Sequence, residues 1–237
     1  MDRRKAIKLI AGGGSLTLVS ASPVIGSVIA TDSRPGSKKL AMVIDLRRCN
    51  GCKACVTACG KENGNAPDEH RTQVLQSSTK INGKDYVVNL PLLCNQCDNP
   101  VCTKVCPTGA TFKREEDGIV VVDSSGCVGC NFCSYTCPYD GVRFTNSKTG
   151  TMDKCNFCIQ RTTQGLLPAC VETCTGGARV FGDLNDPQSQ VSKLIQEHQA
   201  LVLQSDKNTK PNVFYIGLTE QESNQPYDLN SELTWQR

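Results

Sequence analysis

The feature that most constrains this chain is its cysteine content, sixteen among 237 residues, arranged in four sets of four. The first and third sets share the spacing C-x2-C-x2-C-x3-C, and the third is followed directly by proline. The second set has four residues in its middle gap and the fourth set has eleven, yet both keep the terminal x3-C step. The sets are Cys49, Cys52, Cys55 and Cys59; Cys94, Cys97, Cys102 and Cys106; Cys127, Cys130, Cys133 and Cys137; and Cys155, Cys158, Cys170 and Cys174.

This spacing has a physical reason in iron–sulfur chemistry. Three thiolates placed two residues apart on a curled loop can converge on one face of a cubane. The x3 step then enters a short helix, which directs the fourth thiolate toward a neighbouring cubane, as in the bacterial ferredoxin motif. Because four sets of four leave no cysteine over, the sequence predicts four [4Fe–4S] clusters as cofactors, with all sixteen cysteines as iron ligands.

Three other uses of cysteine explain the pattern less well. A disulfide framework suits an exported protein with an even cysteine count. However, it does not account for the shared x3 ending, and 16 in 237 is below the roughly 8–10% typical of disulfide scaffolds. Structural zinc requires two CxxC pairs with a spacer, and thioredoxin-like chemistry requires a single CxxC in a βαβ unit. A zinc-stapled interaction module stays the alternative of a different class.

The segments around the cysteine sets repeat a common plan. Strand-like runs precede the first three sets at 42–44, 86–88 and 119–122, and the fourth has a weaker lead-in at 150–153. Small residues followed by an aromatic come after the last three sets, ending at Phe112, Phe144 and Phe181. Strand, cysteine loop, short helix and strand form half of a ferredoxin. The sequence therefore predicts an α+β fold with two tandem ferredoxin-like 2[4Fe–4S] domains.

Two additions to this frame are predicted. Residues 71–93 favour a β-hairpin insertion with Asn82 and Gly83 at the turn. A C-terminal helix is predicted to begin at Asp186 and Pro187, as N-cap and first helical residue, and to run to about residue 204. Its apolar face would be Val191, Leu194, Ile195 and His198. The last twenty residues form either a tail that lies on a partner or a frayed terminus.

The remaining residues argue against catalysis by this chain alone. The two histidines, His70 and His198, are expected at the surface or in packing. No Ser-His-Asp set, Gly-rich phosphate loop or plausible carboxylate pair is present, so no small-molecule substrate is expected. The net charge of +3 shows no basic footprint for nucleic acid. Since each ligated cubane carries roughly −2, nearby cations are expected to offset that charge: Arg47, Arg48, Lys53, Lys61, Lys104, Lys154, Arg161 and Arg179.

The N-terminal region has the layout of an export signal. Arg3 and Arg4 precede an uncharged stretch at 9–31, with small residues at Ala21 and Ala30 that suit a signal peptidase. The arginine pair resembles a twin-arginine signal, although Ala6 stands where a bulky Phe is usual. The alternative is a membrane anchor, because 23 uncharged residues are enough to span a bilayer. We expect export in the folded state to the periplasm, with membrane association through a partner or an uncut N-terminus.

Four stretches carry a resemblance to a known family. They are LAMVIDLRRCNGCKACVTACGKEN, LLCNQCDNPVCTKVCPTGATF, GIVVVDSSGCVGCNFCSYTCPYD and GLLPACVETCTGGARVFGDLNDP. From about residue 40 to 218, the chain resembles the four-cluster iron–sulfur subunits of molybdopterin oxidoreductase complexes, most of all those of tetrathionate reductases. The resemblance implies an electron-transfer subunit that works with a molybdopterin catalytic subunit and an integral membrane quinol-oxidising subunit. Alternatives are the corresponding subunit for nitrite, sulfite, arsenate, polysulfide or dimethyl sulfoxide, or a free-standing soluble polyferredoxin.

The same resemblance implies how the cysteines combine across the sets. One cluster would use Cys49, Cys52, Cys55 and Cys174; its mate Cys155, Cys158, Cys170 and Cys59; a third Cys94, Cys97, Cys102 and Cys137; and the fourth Cys127, Cys130, Cys133 and Cys106. One domain would then be inserted in the other. The predicted division is a signal at 1–30, a linker at 31–40, a first domain at 41–93 and 150–185, a second domain at 94–149, and a C-terminal helix and tail at 186–237.

Overall fold

The computed structural model describes residues 38–81 and 84–224. The predicted signal, the hairpin turn at 82–83 and the end of the tail lie outside these residues. The strands are β1 (Leu40–Asp45), β2 (Thr72–Ile81), β3 (Lys84–Leu93), β4 (Thr111–Lys113), β5 (Val120–Val122), β6 (Arg143–Thr145), β7 (Met152–Lys154), β8 (Arg179–Asp183) and β9 (Val213–Ile216). The α-helices are α1 (Ala54–Asn63), α2 (Val101–Lys104), α3 (Phe132–Tyr135), α4 (Ile159–Thr162), α5 (Ala169–Glu172), α6 (Gln190–Glu197) and α7 (Glu220–Asn224). In this part of the chain, no helix has the length and apolar character that crossing a membrane requires.

The main sheet joins the start of the described chain to its end, in the strand order β8-β1-β9. Strand β1 is antiparallel to β8, with Met42 opposite Phe181, and parallel to β9, with Met42 opposite Val213. It is covered on both faces, since Met42 packs in the larger core and Val43 in a smaller one against α6. A strand buried on both faces needs an uninterrupted apolar run, which the sequence supplies before the first cysteine set.

The predicted hairpin at 71–93 is confirmed. Strands β2 and β3 are antiparallel over their whole length, from Thr72 opposite Leu93 to Ile81 opposite Lys84. The end next to the second cysteine set is buried through Leu90, Leu92 and Leu93. Two smaller antiparallel pairs, β4 with β5 and β6 with β7, flank the second and third sets. The strand-like runs predicted around the cysteines are therefore strands.

The predicted start and end of the C-terminal helix are wrong. Helix α6 begins after Ser189, whose Oγ accepts a hydrogen bond from the Ser192 amide at 3.3 Å, and it stops at Glu197. Asp186 instead closes a tight turn by accepting from the Gln188 amide at 2.8 Å. Beyond the helix the chain extends, and Leu201 pairs with Tyr215 of β9. The predicted face still packs inward, because Val191 is fully buried against Val43 and Ile216.

Candidate iron–sulfur sites

All sixteen cysteines are free thiols, and each set begins on a loop that is curled by residues in the left-handed region. The first loop has Gly51 and Lys53 at φ of 73° and 58°, and the third has Gly129 and Asn131 at 67° and 62°. Helices α1 and α3 begin directly after these loops. The backbone thus turns sharply within the CxxC steps, which is how thiols two residues apart come to face a common centre.

The first cavity is lined by three thiols of the first set, Cys49, Cys52 and Cys55, together with Cys174 of the fourth set. Burial raises the pKa of Cys49, and the neighbouring thiolates of Cys55 and Cys174 act in the same direction. The last cysteine of the fourth motif is therefore next to the first motif, more than a hundred residues away along the chain.

The second cavity has the same construction. It is lined by Cys94, Cys97 and Cys102 of the second set and by Cys137 of the third. Burial raises the pKa of Cys137 to about 11, and the thiolates of Cys94 and Cys102 add to this rise. Burial, with Cys94 close by, raises the pKa of Cys97 to about 12. Cys137 thus faces the cysteines of the preceding motif.

A third group is formed by Cys59 of the first set and the first three cysteines of the fourth set. Burial raises the pKa of Cys59 to about 12, and the thiolates of Cys170 and Cys158 contribute to this rise. Burial also raises the pKa of Cys155 well above its ordinary value, with Cys59 and Cys170 acting in the same direction. These interactions indicate that Cys59 lies near the first three cysteines of the fourth set.

The remaining cysteines differ in exposure, since Cys130 is exposed, Cys106 and Cys127 are half-buried, and Cys133 is buried. Cys127 and Cys133 pack in a small core with Cys102 and Met152, and the Met152 amide lies 3.5 Å from the Cys127 sulfur. The sulfur of Cys106 accepts from the Thr111 amide at 3.4 Å within its own segment. These contacts bring Cys127 and Cys133 together, whereas the addition of Cys106 and Cys130 to them stays a prediction.

Backbone amides point at several of the cysteine sulfurs. The Ala178 amide donates to Cys174 at 3.2 Å, and the Phe157 amide donates to Cys155 at 3.4 Å. Such bonds favour the thiolate, the form that ligates iron, and they help to set the potential of a bound cluster. The loops therefore supply hydrogen-bond donors as well as ligands.

Buried cations stand beside the thiols. Arg179, predicted as a counter-charge, is 3% exposed, donates to Thr72 at 2.8 Å and lies 3.8 Å from the Cys170 sulfur. Arg143 was not predicted, although it follows Cys137 much as Arg179 follows Cys174. Its guanidinium is buried, and its three nitrogens have no hydrogen-bond partner among the described residues. An orphaned buried guanidinium among thiols fits a site built for an anionic ligand such as a thiolate-bound cubane.

A segment that the sequence did not mark covers the second cavity. Thr209 lines this cavity, and its hydroxyl lies 2.6 Å from that of Tyr139. The next residue, Lys210, accepts from the Asp98 amide at 2.8 Å, so the segment is fixed to the cysteine loop. No motif or periodicity distinguishes 208–212 in the sequence, since its role depends on backbone hydrogen bonds.

The ligands available at these sites are all cysteine thiols. Within residues 38–81 and 84–224, no three His, Cys, Asp or Glu side chains are arranged to hold one metal ion. In a cubane each thiolate binds a different iron, so the four ligand sulfurs surround a four-iron cluster and lie farther apart than they would around a single ion. The donor set, all cysteine sulfur, is also the one that [4Fe–4S] clusters use.

Comparison with known proteins agrees with this geometry. Two family models described as 4Fe-4S dicluster domain match residues 48–110 and 85–184, which together include all four cysteine sets. The chain is 50% identical over 186 residues to a subunit of the tetrathionate reductase of Salmonella typhimurium, covering 77% of this chain and 74% of that protein. It belongs to the iron–sulfur subunits of molybdopterin oxidoreductase complexes.

Further relatives belong to the same group. A sulfite dehydrogenase subunit of Allochromatium vinosum is 39% identical over 201 residues, which are 75% of this chain and 82% of that protein. A tetrathionate reductase subunit of Archaeoglobus fulgidus is 38% identical over 212 residues, with 85% and 98% covered. The predictions of four [4Fe–4S] clusters and of two tandem ferredoxin-like domains are thereby confirmed, and the disulfide and zinc interpretations are set aside.

Proposed function

We propose that this chain is the electron-transfer subunit of a tetrathionate reductase complex in anaerobic respiration. It would pass electrons from an integral membrane quinol-oxidising subunit to a molybdopterin catalytic subunit. When bound, each [4Fe–4S] cluster supplies reversible one-electron chemistry. The role of the protein is then to hold four clusters in a row, to set their reduction potentials, and to leave the two ends of the row accessible to partners.

The observation that carries this proposal is the order of the cysteines in space. Each thiol group has a neighbour in the next: Cys55 acts on the pKa of Cys170, Cys94 on that of Cys155, and Cys133 on that of Cys102. The exposed members of the sixteen are Cys52 and Cys130, which belong to the groups at opposite ends. A row whose exposed cysteines lie only at its two ends is what a relay between two partners requires.

The ligand sets that follow are crossed between motifs, as the family arrangement implies. Cys174 would complete the site of the first motif and Cys137 the site of the second, which is supported by the two cavities that these cysteines line. Cys59 would join Cys155, Cys158 and Cys170. Cys106 would complete the site of Cys127, Cys130 and Cys133, and this assignment depends on the family arrangement alone.

An inserted second domain is the proposed architecture. The first domain, 41–93 and 150–185, is supported by the pairing of β1 with β8 and by the packing of α1 against α5. The second, 94–149, is supported by the β4–β5 pair and by the packing of α2 against α3. The β6–β7 pair crosses the boundary at 150 and links the two.

The proposed assembly is tested by isolating the chain in its native state. If it is a subunit, gel filtration of a gently prepared extract will show it in a much larger complex, and the large co-purifying subunit will contain molybdenum. Added tetrathionate should then oxidise the reduced clusters, whereas sulfite or arsenate should not. A chain that elutes alone, at the mass of one polypeptide, would instead be a free-standing polyferredoxin.

Metal content gives a direct prediction. The chain, prepared anaerobically, should contain about sixteen irons and as many sulfides, since each of four clusters contributes four of each. It should be brown, and air or a chelator should bleach it. Iron and sulfide assays provide the measurement, and a colourless protein with two to four zinc ions would contradict the proposal.

We also propose export in the folded state to the periplasm, supported by the Arg3–Arg4 pair and the uncharged stretch that follows. Clusters acquired in the cytoplasm require a route that carries folded proteins. Replacing Arg3 and Arg4 by lysine keeps the charge but should leave the protein in the cytoplasm, measured by cell fractionation. Replacing Lys5 and Lys8 by arginine provides the control and should not reduce export. Undiminished export of the Lys-Lys variant would contradict this proposal.

A further inference from the structure

Two buried cations face each other across the β6–β7 pair. Arg143 lies directly opposite Lys154 in the antiparallel register, and the two residues are 7% and 3% exposed. Like charges directly opposite each other destabilise a strand pair, and a buried charge is costly unless it is compensated. Such a pair therefore requires an anionic group close to both side chains.

The protein supplies no carboxylate for this purpose within residues 38–81 and 84–224. The Lys154 ammonium donates to the carbonyl oxygens of Val120 and of Cys155, the latter at 3.0 Å. The guanidinium nitrogens of Arg143 have no hydrogen-bond partner in this part of the chain. The nearby carboxylate of Asp153 is committed to Arg71, at 2.9 Å. Both cations are thus left with their full charge.

Both cations lie beside the second cavity, although only Arg143 lines it directly. Arg143 lines it beside Cys94, Cys102 and Cys137. The Lys154 ammonium donates to the carbonyl oxygen of Val120, and Val120 also lines this cavity. The two cations therefore place buried positive charge beside this thiol group.

We propose that Arg143 and Lys154 form a built-in counter-charge that gives the cluster of Cys94, Cys97, Cys102 and Cys137 the highest reduction potential of the four. The inference rests on the ligand sets proposed above. Reduction adds one electron to a cluster that is already an anion, so two cations nearby stabilise the reduced form and raise the potential.

The other sites have weaker compensation. The first cavity is lined by the cations Arg48, Lys53 and Arg179, but of these only Arg179 is buried, and solvent screens the charge of the two exposed ones. Arg71 acts on Cys59, yet its charge is matched by Asp153. An electron entering the row would therefore reside mainly on the cluster of Cys94, Cys97, Cys102 and Cys137, which is an inner member of the row and adjoins the group of Cys155. The positive charges of Arg143 and Lys154 would determine this location.

The test is a redox titration, followed by EPR, of the full chain with its clusters bound. In Arg143→Met, reduction of the highest-potential cluster should become less favourable by about tenfold or more, which is 59 mV for a one-electron couple. The potentials of the other three clusters should move less. Arg143→Lys keeps the charge and should stay within about threefold of the unmodified chain. The control is Lys193→Met, which removes an exposed cation on α6 and should change no potential.

Each result supports or overturns the inference. An unchanged highest potential in Arg143→Met overturns it, and so does an Arg143→Lys potential as low as that of the Met variant, because packing and not charge would then be decisive. If Arg143→Met binds only about twelve irons while Arg143→Lys binds sixteen, the charge is required for the cluster itself and the inference stands. Loss of the cluster in both variants overturns it. An unmodified chain without clusters would instead refute the proposed function.

Discussion

Cys137→Ser should remove one cluster. The lost cluster should be the one held by the second motif, although Cys137 itself belongs to the third motif. The Cys137 thiol lines the cavity of Cys94, Cys97 and Cys102, and the thiolates of Cys94 and Cys102 help to raise its pKa. We expect the iron content to fall from about sixteen to about twelve per chain. The EPR component that disappears should be the one that disappears in Cys97→Ser.

Double variants make this prediction independent of spectral assignment. In Cys97→Ser/Cys137→Ser both changes affect the same proposed site, so the iron content should stay at about twelve. In Cys130→Ser/Cys137→Ser they affect two sites, so it should fall to about eight. Clusters that kept to their own motifs would give the opposite pair of counts, and the crossed arrangement would then have to be abandoned.

Much of the local structure was accessible from the sequence because the cysteine spacing is itself a three-dimensional constraint. A loop that presents three thiols to one cubane must curl, and the left-handed conformations of Gly51 and Gly129 show that it does. The strands before and after the loops were predictable from short apolar runs with β-branched residues. The hairpin was predictable in the same way, because two strand-like segments flank an Asn-Gly pair, which favours a tight turn.

The features of the structure that were not predicted depend on contacts between residues that are distant in the sequence. Strand β9 is a short run whose burial depends on lying parallel to β1, a pairing that no local pattern announces. Helix α6 begins at Gln190, with Ser189 as its N-cap, because Asp186 is used in a turn, and the local pattern that favoured Asp186 as the N-cap did not reveal that turn. Arg143 looked like an ordinary charge on a strand until the structure placed its guanidinium among thiols. In each case tertiary contacts determine the structure.

Gly129→Ala should disrupt the loop of the third motif, the second large effect that the structure predicts. Gly129 has a φ of +67°, and a Cβ built on it would lie 2.5 Å from the carbonyl oxygen of Gly150. The Gly150 oxygen is a backbone atom and the Cβ is bonded directly to the backbone, so no flexible side chain can move away. We expect the cluster of Cys127, Cys130 and Cys133 to be lost or bound weakly, with the iron content falling toward twelve.

Gly165→Ala separates the two causes of this effect. Gly165 has a similar φ of +78°, but nothing lies within 4 Å of a Cβ built there. It therefore carries the left-handed strain of about 1–2 kcal/mol without the collision. The alanine at 165 should leave about sixteen irons in place, and heating should bleach its visible absorption at nearly the temperature of the unmodified chain. If the two alanine variants bind equal amounts of iron, the close approach of 129 to 150 is not what shapes this site.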